Sequence, residues 1–160
     1  MMDTASLISE IQSRPAQTIV CDRILVPIDG SPASMHAVEW AIDLARAADA
    51  ELTILMVIDY DAHISAFEQV SMSGYLPSEL KIAAYRFLAE LMHEIPRSVR
   101  AHTRVEEGDP GEVTVAVAAE EESHLIIMGS RGFGTFERIA FGSVSTYVTH
   151  HAHGPVLLVK

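Results

Sequence analysis

Four short, continuous runs of apolar residues divide the chain. They are ILVPI at 24–28, LTILMVI at 52–58, LIIM at 125–128 and VLLV at 156–159. Runs of this length, rich in leucine and β-branched residues, are typical of strands that are buried on both faces, as in a parallel sheet. Pro27 has no N–H to donate, but its place near the end of the first run is compatible with a strand.

A fifth segment, VRAHTRVE at 99–106, alternates between apolar and polar residues. One face carries Val99, Ala101, Thr103 and Val105, and the other carries Arg100, His102, Arg104 and Glu106. A period of two with one polar face predicts a half-exposed strand at the edge of the sheet.

Helix-start signals follow the first strand and the alternating strand. Ser31 is placed to cap a helix whose first residue is Pro32, and Asp109 and Pro110 repeat this arrangement. Glu112, three residues after Asp109, completes a capping-box pattern. We therefore predict one helix after the first strand and another after the alternating strand.

Two further helices are predicted, one from Ser78 to just before Pro96 and one from Ser143 to His151. The residues predicted to face the core are Ala37, Ala41, Leu44, Ala45 and Ala48, then Leu80, Ala84, Phe87, Leu88 and Leu91, then Val113, Ala116 and Val117, and finally Val144, Tyr147 and Val148. The alternation of strands and helices predicts an α/β fold, a doubly wound open five-stranded parallel sheet with helices on both faces.

This single α/β domain is predicted to span 23–160, after an N-terminal extension at 1–22. Residues 59–77 have weak periodicity and are expected to form a long surface loop.

The net charge of −11 and the presence of only two lysines argue against nucleic acid and anionic membranes as partners. The single cysteine, Cys21, excludes an internal disulfide. The N-terminus has no basic segment of a signal peptide, and no apolar run is long enough to cross a bilayer. We expect a cytoplasmic protein.

Candidate chemistry lies at the carboxyl ends of the first and fourth strands. VPIDGS at 26–31 closes the first, and the glycine-rich stretch at 129–145 follows the fourth. In open parallel sheets, ligands bind beyond the carboxyl ends where the strand order reverses. Glycines let the backbone approach a phosphate, and the free N–H groups of a helix beginning at 143 favour an anion. Both features suit a nucleotide. The alternative interpretation of the glycines, taken by themselves, is a structural turn.

Individual side chains fit parts of a nucleotide. The hydroxyls of Ser143 and Ser145 and the charge of Arg131 suit phosphates, Asp29 suits ribose hydroxyls, and Val57 suits a base. The chain has no GK[ST] phosphate loop, no GxGxxG and no GxSxG, and no acid–base pair stands out. No catalytic residue is predicted.

The spacing Gly129-x2-Gly132-x9-Gly142-Ser143 resembles the G-x2-G-x9-G-[ST] signature of the ATP-binding branch of the universal stress protein family. ILVPIDGSPAS, followed by Ala37 and Ala41, resembles the opening of that family, and HAHGPVLLVK its closing strand. The resemblance implies strand order 3-2-1-4-5, a homodimer, and ATP at the switch point, usually with Mg²⁺ or Mn²⁺ on its phosphates.

The resemblance also implies positions for the ligand. Pro27, Ile28, Asp29 and Val57 would surround adenine and ribose, Met128 and Gly129 would touch the nucleoside, and Arg131, Gly132, Gly142, Ser143, Val144 and Ser145 would hold ribose and phosphates. The chain departs from the family pattern at Glu137, where a basic or neutral residue is frequent, and at His153-Gly154, which replaces a Pro-Cys type pair. The extension and the 59–77 segment have no aligned counterpart.

Three smaller features complete the predictions. His150, His151 and His153 suggest a metal site but lack a fourth ligand, so helix-end histidines are the plainer interpretation. The acidic run at 120–122 is expected to be solvated surface. The closing strand would be an apolar edge, and pairing of 155–160 with a second copy would cover it.

The sequence thus predicts a homodimeric ATP-binding stress or signalling protein, whose ligand state sets its protein partners. Two alternatives stay open. One is a slow ATPase or nucleotidyl transferase, for which Asp29 is the candidate general base or metal ligand, and the other is a dimeric interaction module whose nucleotide site has decayed.

Overall fold

The computed structural model describes residues 3–13, 20–60, 76–131 and 142–160. Their elements, in chain order, are α1 (Thr4–Ser13), β1 (Arg23–Ile28), α2 (Pro32–Ala48), β2 (Glu51–Ile58), α3 (Leu76–Glu94), β3 (Arg100–Glu107), α4 (Pro110–Glu120), β4 (Leu125–Gly129), α5 (Ser143–His151) and β5 (Val156–Val159). Gly132, Glu137 and most of the predicted surface loop lie outside the described residues.

The five strands form one parallel sheet in the order β3-β2-β1-β4-β5, which confirms the predicted topology. The chain moves outward from β1 through β2 to β3, then returns to the other side of β1 as β4 and β5. The order therefore reverses between β1 and β4.

A separate hydrophobic core lies on each face of the sheet. Ile24, Val26 and Ile28 of β1 belong to one core, which α2 and α3 cover, whereas Leu25 belongs to the other, which α4 and α5 cover. Ile24, Leu25 and Val26 are at most 1% exposed. The continuous apolar run is thus explained by burial of both faces.

Both predicted helix caps are present. The Ser31 hydroxyl accepts the N–H of Ser34, and the Asp109 carboxylate accepts the N–H groups of Gly111 and Glu112. Proline follows each cap at the first helical position. Helix α3 begins at Leu76, two residues before the predicted Ser78.

The predicted inward faces are correct except at Ala48 and Ala116, which are exposed. In α4 the buried residues are Gly111, Thr114 and Val117. A Cβ at Gly111 would lie 2.8 Å from the ring of Tyr147, so α5 packs closely against α4 at this glycine. Because glycine has no side chain, the pattern of apolar residues does not reveal this contact.

Glu120 and Glu122 are exposed, as predicted for the acidic run at 120–122, whereas the side chain of Glu121 is only 21% exposed, and all three form ion pairs. Arg104 of β3 pairs with Glu120 at 2.8 Å and with Glu121 at 3.1 Å, and Arg23 pairs with Glu122 at 3.1 Å. Hydrogen bonds to Glu120 and to Glu106 raise the pKa of Arg104. The contacts of Arg104 tie the end of α4 to the polar face of β3, the predicted half-exposed edge strand, and the contact of Arg23 ties Glu122 to β1.

Helix α1 lies in the N-terminal extension, for which the sequence pattern predicts no element. Asp3 accepts the N–H of Ser6 at 2.7 Å, as a helix cap does. In the part of the chain that the structure describes, no helix is long and apolar enough to span a membrane.

Candidate functional site

The carboxyl ends of β1 and β4 border the point where the strand order reverses. Ladder pairing between these strands joins Ile24 to Leu125 and Leu25 to Ile126. Pro27 lies two residues beyond the last of these pairs and is in register with Leu55 of β2 on its other side. Because Pro27 has no N–H to donate, it is tolerated where pairing with β4 has ended.

Asp29 lies directly after β1 and its side chain is exposed. Its Oδ1 accepts the N–H of Ser31 at 2.9 Å, across Gly30, whose φ of +82° is in the region that favours glycine. A carboxylate can accept about four hydrogen bonds, so this turn leaves Asp29 able to accept others. Asp29 is therefore both a turn residue and a candidate ligand for hydroxyl groups.

The predicted base-binding residues fall on opposite faces of the sheet. Met128, 5% exposed, lies in the core beneath α4 and α5, and the partly buried Val57 packs against the same core. Ile28, also 5% exposed, lies in the core beneath α2 and α3. The structure therefore brings Val57 and Met128 to one side, and Ile28 offers a ligand there only its backbone.

Gly129 has a packing reason to be glycine. A Cβ at this position would lie 2.9 Å from the carbonyl carbon of Ala33 and 2.9 Å from the backbone nitrogen of Ser34. The end of β4 thus touches the backbone of the first turn of α2. The signature glycine is required here even without a ligand.

Ser130, which the sequence analysis did not select, joins β4, β5 and α5. Its N–H donates to the carbonyl of Val159 at 2.7 Å, and its own carbonyl accepts the N–H of Gly142 at 2.9 Å. The hydroxyl of Ser145 donates to the same carbonyl at 2.9 Å. We call Ser130, Gly142 and Ser145 the Ser130 anchor; apart from the place of Ser130 directly after a buried strand, no sequence pattern marks it.

The anchor places the N-terminus of α5 beside the carboxyl end of β4. Gly142 is the N-cap residue, with φ −72° and ψ 163°, and no side chain caps the helix there. The other two described N-caps of the α/β domain, Ser31 and Asp109, do supply a side chain. The first turn of α5 therefore keeps N–H groups that an anion can accept.

The remaining predicted phosphate ligands differ in exposure. Ser143 and Arg131 are exposed, Val144 is partly buried and Ser145 is 2% exposed. Gly132 lies outside the described residues. The ligand roles of all these residues stay predictions.

His151, at the end of α5, contacts its own helix. Nδ1 of His151 lies 2.8 Å from the carbonyl of Tyr147, and the two rings stack with centroids 4.0 Å apart. Among residues 3–13, 20–60, 76–131 and 142–160, no group of three or more histidine, cysteine or acidic side chains could hold a metal ion.

The fold defines a doubly wound α/β protein with a candidate ligand crevice at its topological switch point. A model of the universal stress protein family matches residues 21–160. Universal stress protein MJ0531 of Methanocaldococcus jannaschii is 32% identical over 151 residues, 86% of this chain and 81% of that protein. The chain belongs to the universal stress protein family.

The fold is also similar to solved structures of universal stress proteins. Universal stress protein UspA from Lactobacillus plantarum is 27% identical with a TM-score of 0.70, over 88% of this chain and 98% of that one. A universal stress protein in complex with cAMP is 25% identical with a TM-score of 0.61, over 85% of this chain and 94% of that one.

Proposed function

We propose that this protein binds ATP at the switch point between β1 and β4. The observation that carries the proposal is the uncapped N-terminus of α5, which the Ser130 anchor holds at the carboxyl end of β4. The helix dipole and the free N–H groups would stabilise phosphate oxygens, which are the most charged part of ATP.

The described residues suit each part of the nucleotide. The exposed hydroxyl of Ser143 and the charge of Arg131 are available to phosphates, and the exposed carboxylate of Asp29 to ribose. Val57 and Met128 supply apolar surface on one face of the sheet. A nucleotide complex, with cAMP, is also on record for a family member that is 25% identical.

A divalent cation, Mg²⁺ or Mn²⁺, is expected to neutralise part of the phosphate charge when ATP is bound. The chain carries a net charge of −11, which disfavours a bare polyphosphate. The described residues contain no group of three metal ligands. We therefore expect the cation to arrive with ATP and to depend on phosphate oxygens for most of its ligands.

We further propose that the protein is a cytoplasmic homodimer whose two copies pair through residues 155–160. Its proposed role is in stress response or signalling. The open edge of β5 carries the apolar residues VLLV, whereas the opposite edge strand, β3, carries charged side chains that form ion pairs. An apolar strand edge invites pairing with another strand, and a second copy of β5 would supply one.

The test of ATP binding starts from the purified, full-length protein. The protein is denatured, the released small molecules are identified by mass spectrometry, and ATP, AMP and cAMP are titrated calorimetrically with and without Mg²⁺. We expect ATP to be released on denaturation or, when added, to bind more tightly than AMP and cAMP. We expect Mg²⁺ to raise the affinity for ATP. A protein that carries no nucleotide and binds none of the three would contradict the proposal.

A further inference from the structure

We propose that Ser145 is a positioning residue, whose hydroxyl fixes the N-terminus of α5 against β4 and does not donate a hydrogen bond to the ligand. Its hydroxyl and the N–H of Gly142 both donate to the carbonyl of Ser130. The consequence for ATP rests on the proposed function, but the positioning itself can be measured without any nucleotide.

The hydroxyl of Ser145 already has its partners. Its Oγ lies 2.9 Å from the carbonyl oxygen of Ser130 and 3.0 Å from that of Gly142. A serine hydroxyl has one hydrogen to donate, and these two carbonyls share it. A phosphate oxygen also needs a donor, so a hydrogen bond from the Ser145 hydroxyl to phosphate would take its hydrogen away from these two carbonyls.

Ser143 offers the contrast within the same helix turn. It is the first residue of α5 and is exposed, whereas Ser145 is 2% exposed. The two serines of the signature region therefore have different roles: the hydroxyl of Ser143 is accessible to a ligand, and the hydroxyl of Ser145 is bonded within the protein.

The acceptor of the anchor is itself held in place. Ser130 is 4% exposed, and its N–H donates to the carbonyl of Val159 in β5 at 2.7 Å. The first turn of α5 is thus fixed relative to both β4 and β5. Donors that are fixed before the ligand arrives lose less entropy on binding, which is how the Ser145 hydroxyl would raise affinity without itself touching ATP.

The first experiment compares Ser145→Ala with Ser143→Ala in the nucleotide-free protein, by amide hydrogen exchange at Gly142. Alanine has a higher intrinsic helix propensity than serine in a helix interior, so we expect neither change to weaken α5 through propensity. Loss of one hydrogen bond predicts exchange at Gly142 about two- to tenfold faster in Ser145→Ala. Ser143→Ala should leave it unchanged.

Amide hydrogen exchange at the buried Ile54 in β2 distinguishes local destabilisation at α5 from destabilisation of the whole fold. We expect its exchange to be unchanged in Ser145→Ala, because the anchor is local to β4, β5 and α5. Equal acceleration at Ile54 and Gly142 would overturn the proposal, because Ser145 would then support the whole fold. Unchanged exchange at Gly142 would overturn it as well.

The second experiment measures ATP affinity by calorimetry in the same variants and in Ser145→Thr, which keeps the hydroxyl. Ser145→Ala should weaken ATP binding about two- to tenfold, in proportion to its effect on Gly142 exchange, and Ser145→Thr should restore both. Weaker ATP binding in Ser145→Ala without faster exchange would make Ser145 a direct ligand and refute the proposal. If the wild-type protein binds no nucleotide, faster exchange at Gly142 still supports the anchor while the proposed function fails.

Discussion

At the scale of single residues, Gly129 and Asp29 combine a structural and a predicted ligand role. Gly129 allows the end of β4 to touch the backbone of Ala33 and Ser34, and Asp29 accepts the N–H of Ser31. Both contacts shape the start of α2 beside the candidate crevice. A change in ATP binding caused by mutation of either residue therefore has to be separated from its effect on folding.

Gly129→Ala should destabilise the protein by about 1–3 kcal/mol, because the added Cβ must displace backbone atoms. The matched control is Gly154→Ala, where the nearest atoms to an added Cβ lie at 3.7 Å, an ordinary contact distance. The free energy of unfolding, measured by urea denaturation without nucleotide, checks the pair. Equal stability of Gly129→Ala and wild type would contradict the packing explanation for this glycine.

At the scale of elements, local signals allowed most of the fold to be predicted. Apolar runs mark the central strands, and the pairs Ser31-Pro32 and Asp109-Pro110 mark helix starts, because these features depend on neighbours in sequence. The contact of Gly111 with Tyr147 and the bonds of Ser130 were missed. They depend on which segments meet in space, and no periodic pattern records that.

The proposed dimer edge can be tested at one residue of β5. The carbonyls of Pro155 and Val159 accept the N–H groups of Ile126 in β4 and of Ser130 directly after it, so the alternate residues Val156 and Leu158 direct their backbone groups to the open edge. Leu158→Pro removes an N–H from that edge and should yield a monomer. Leu158→Ala, which loses the side chain but keeps the N–H, should remain more dimeric.

Light scattering coupled to size exclusion gives the mass of each variant, and circular dichroism checks that each is folded. A monomeric wild type would contradict the proposed dimer. A folded Leu158→Pro variant that stays dimeric would place the interface elsewhere.

At the scale of the whole molecule, the site is assembled from distant parts of the chain. Asp29 and Val57 lie at the carboxyl ends of β1 and β2, and Met128 and Ser143 lie on the same side of the site because β4 returns to the neighbour position of β1. The resemblance to the family supplied the strand order, which the alternation of elements alone left open. It did not reveal that Val57 and Ile28 face opposite cores, since this depends on the pleat of adjacent strands.

The most direct test of ATP binding at the N-terminus of α5 changes the charge there without changing the backbone. Gly142 has an extended conformation that any residue can adopt. Gly142→Asp should cap the helix and raise the free energy of unfolding by up to about 1 kcal/mol. Gly142→Asn offers similar capping without the charge.

Calorimetric titration of ATP into the wild type and both variants is therefore the decisive measurement. Repulsion between the new carboxylate and the phosphates predicts that Gly142→Asp binds ATP at least about tenfold more weakly than Gly142→Asn, although it is no less stable. Equal ATP affinity in the wild type, Gly142→Asn and Gly142→Asp would contradict a phosphate site at this helix terminus.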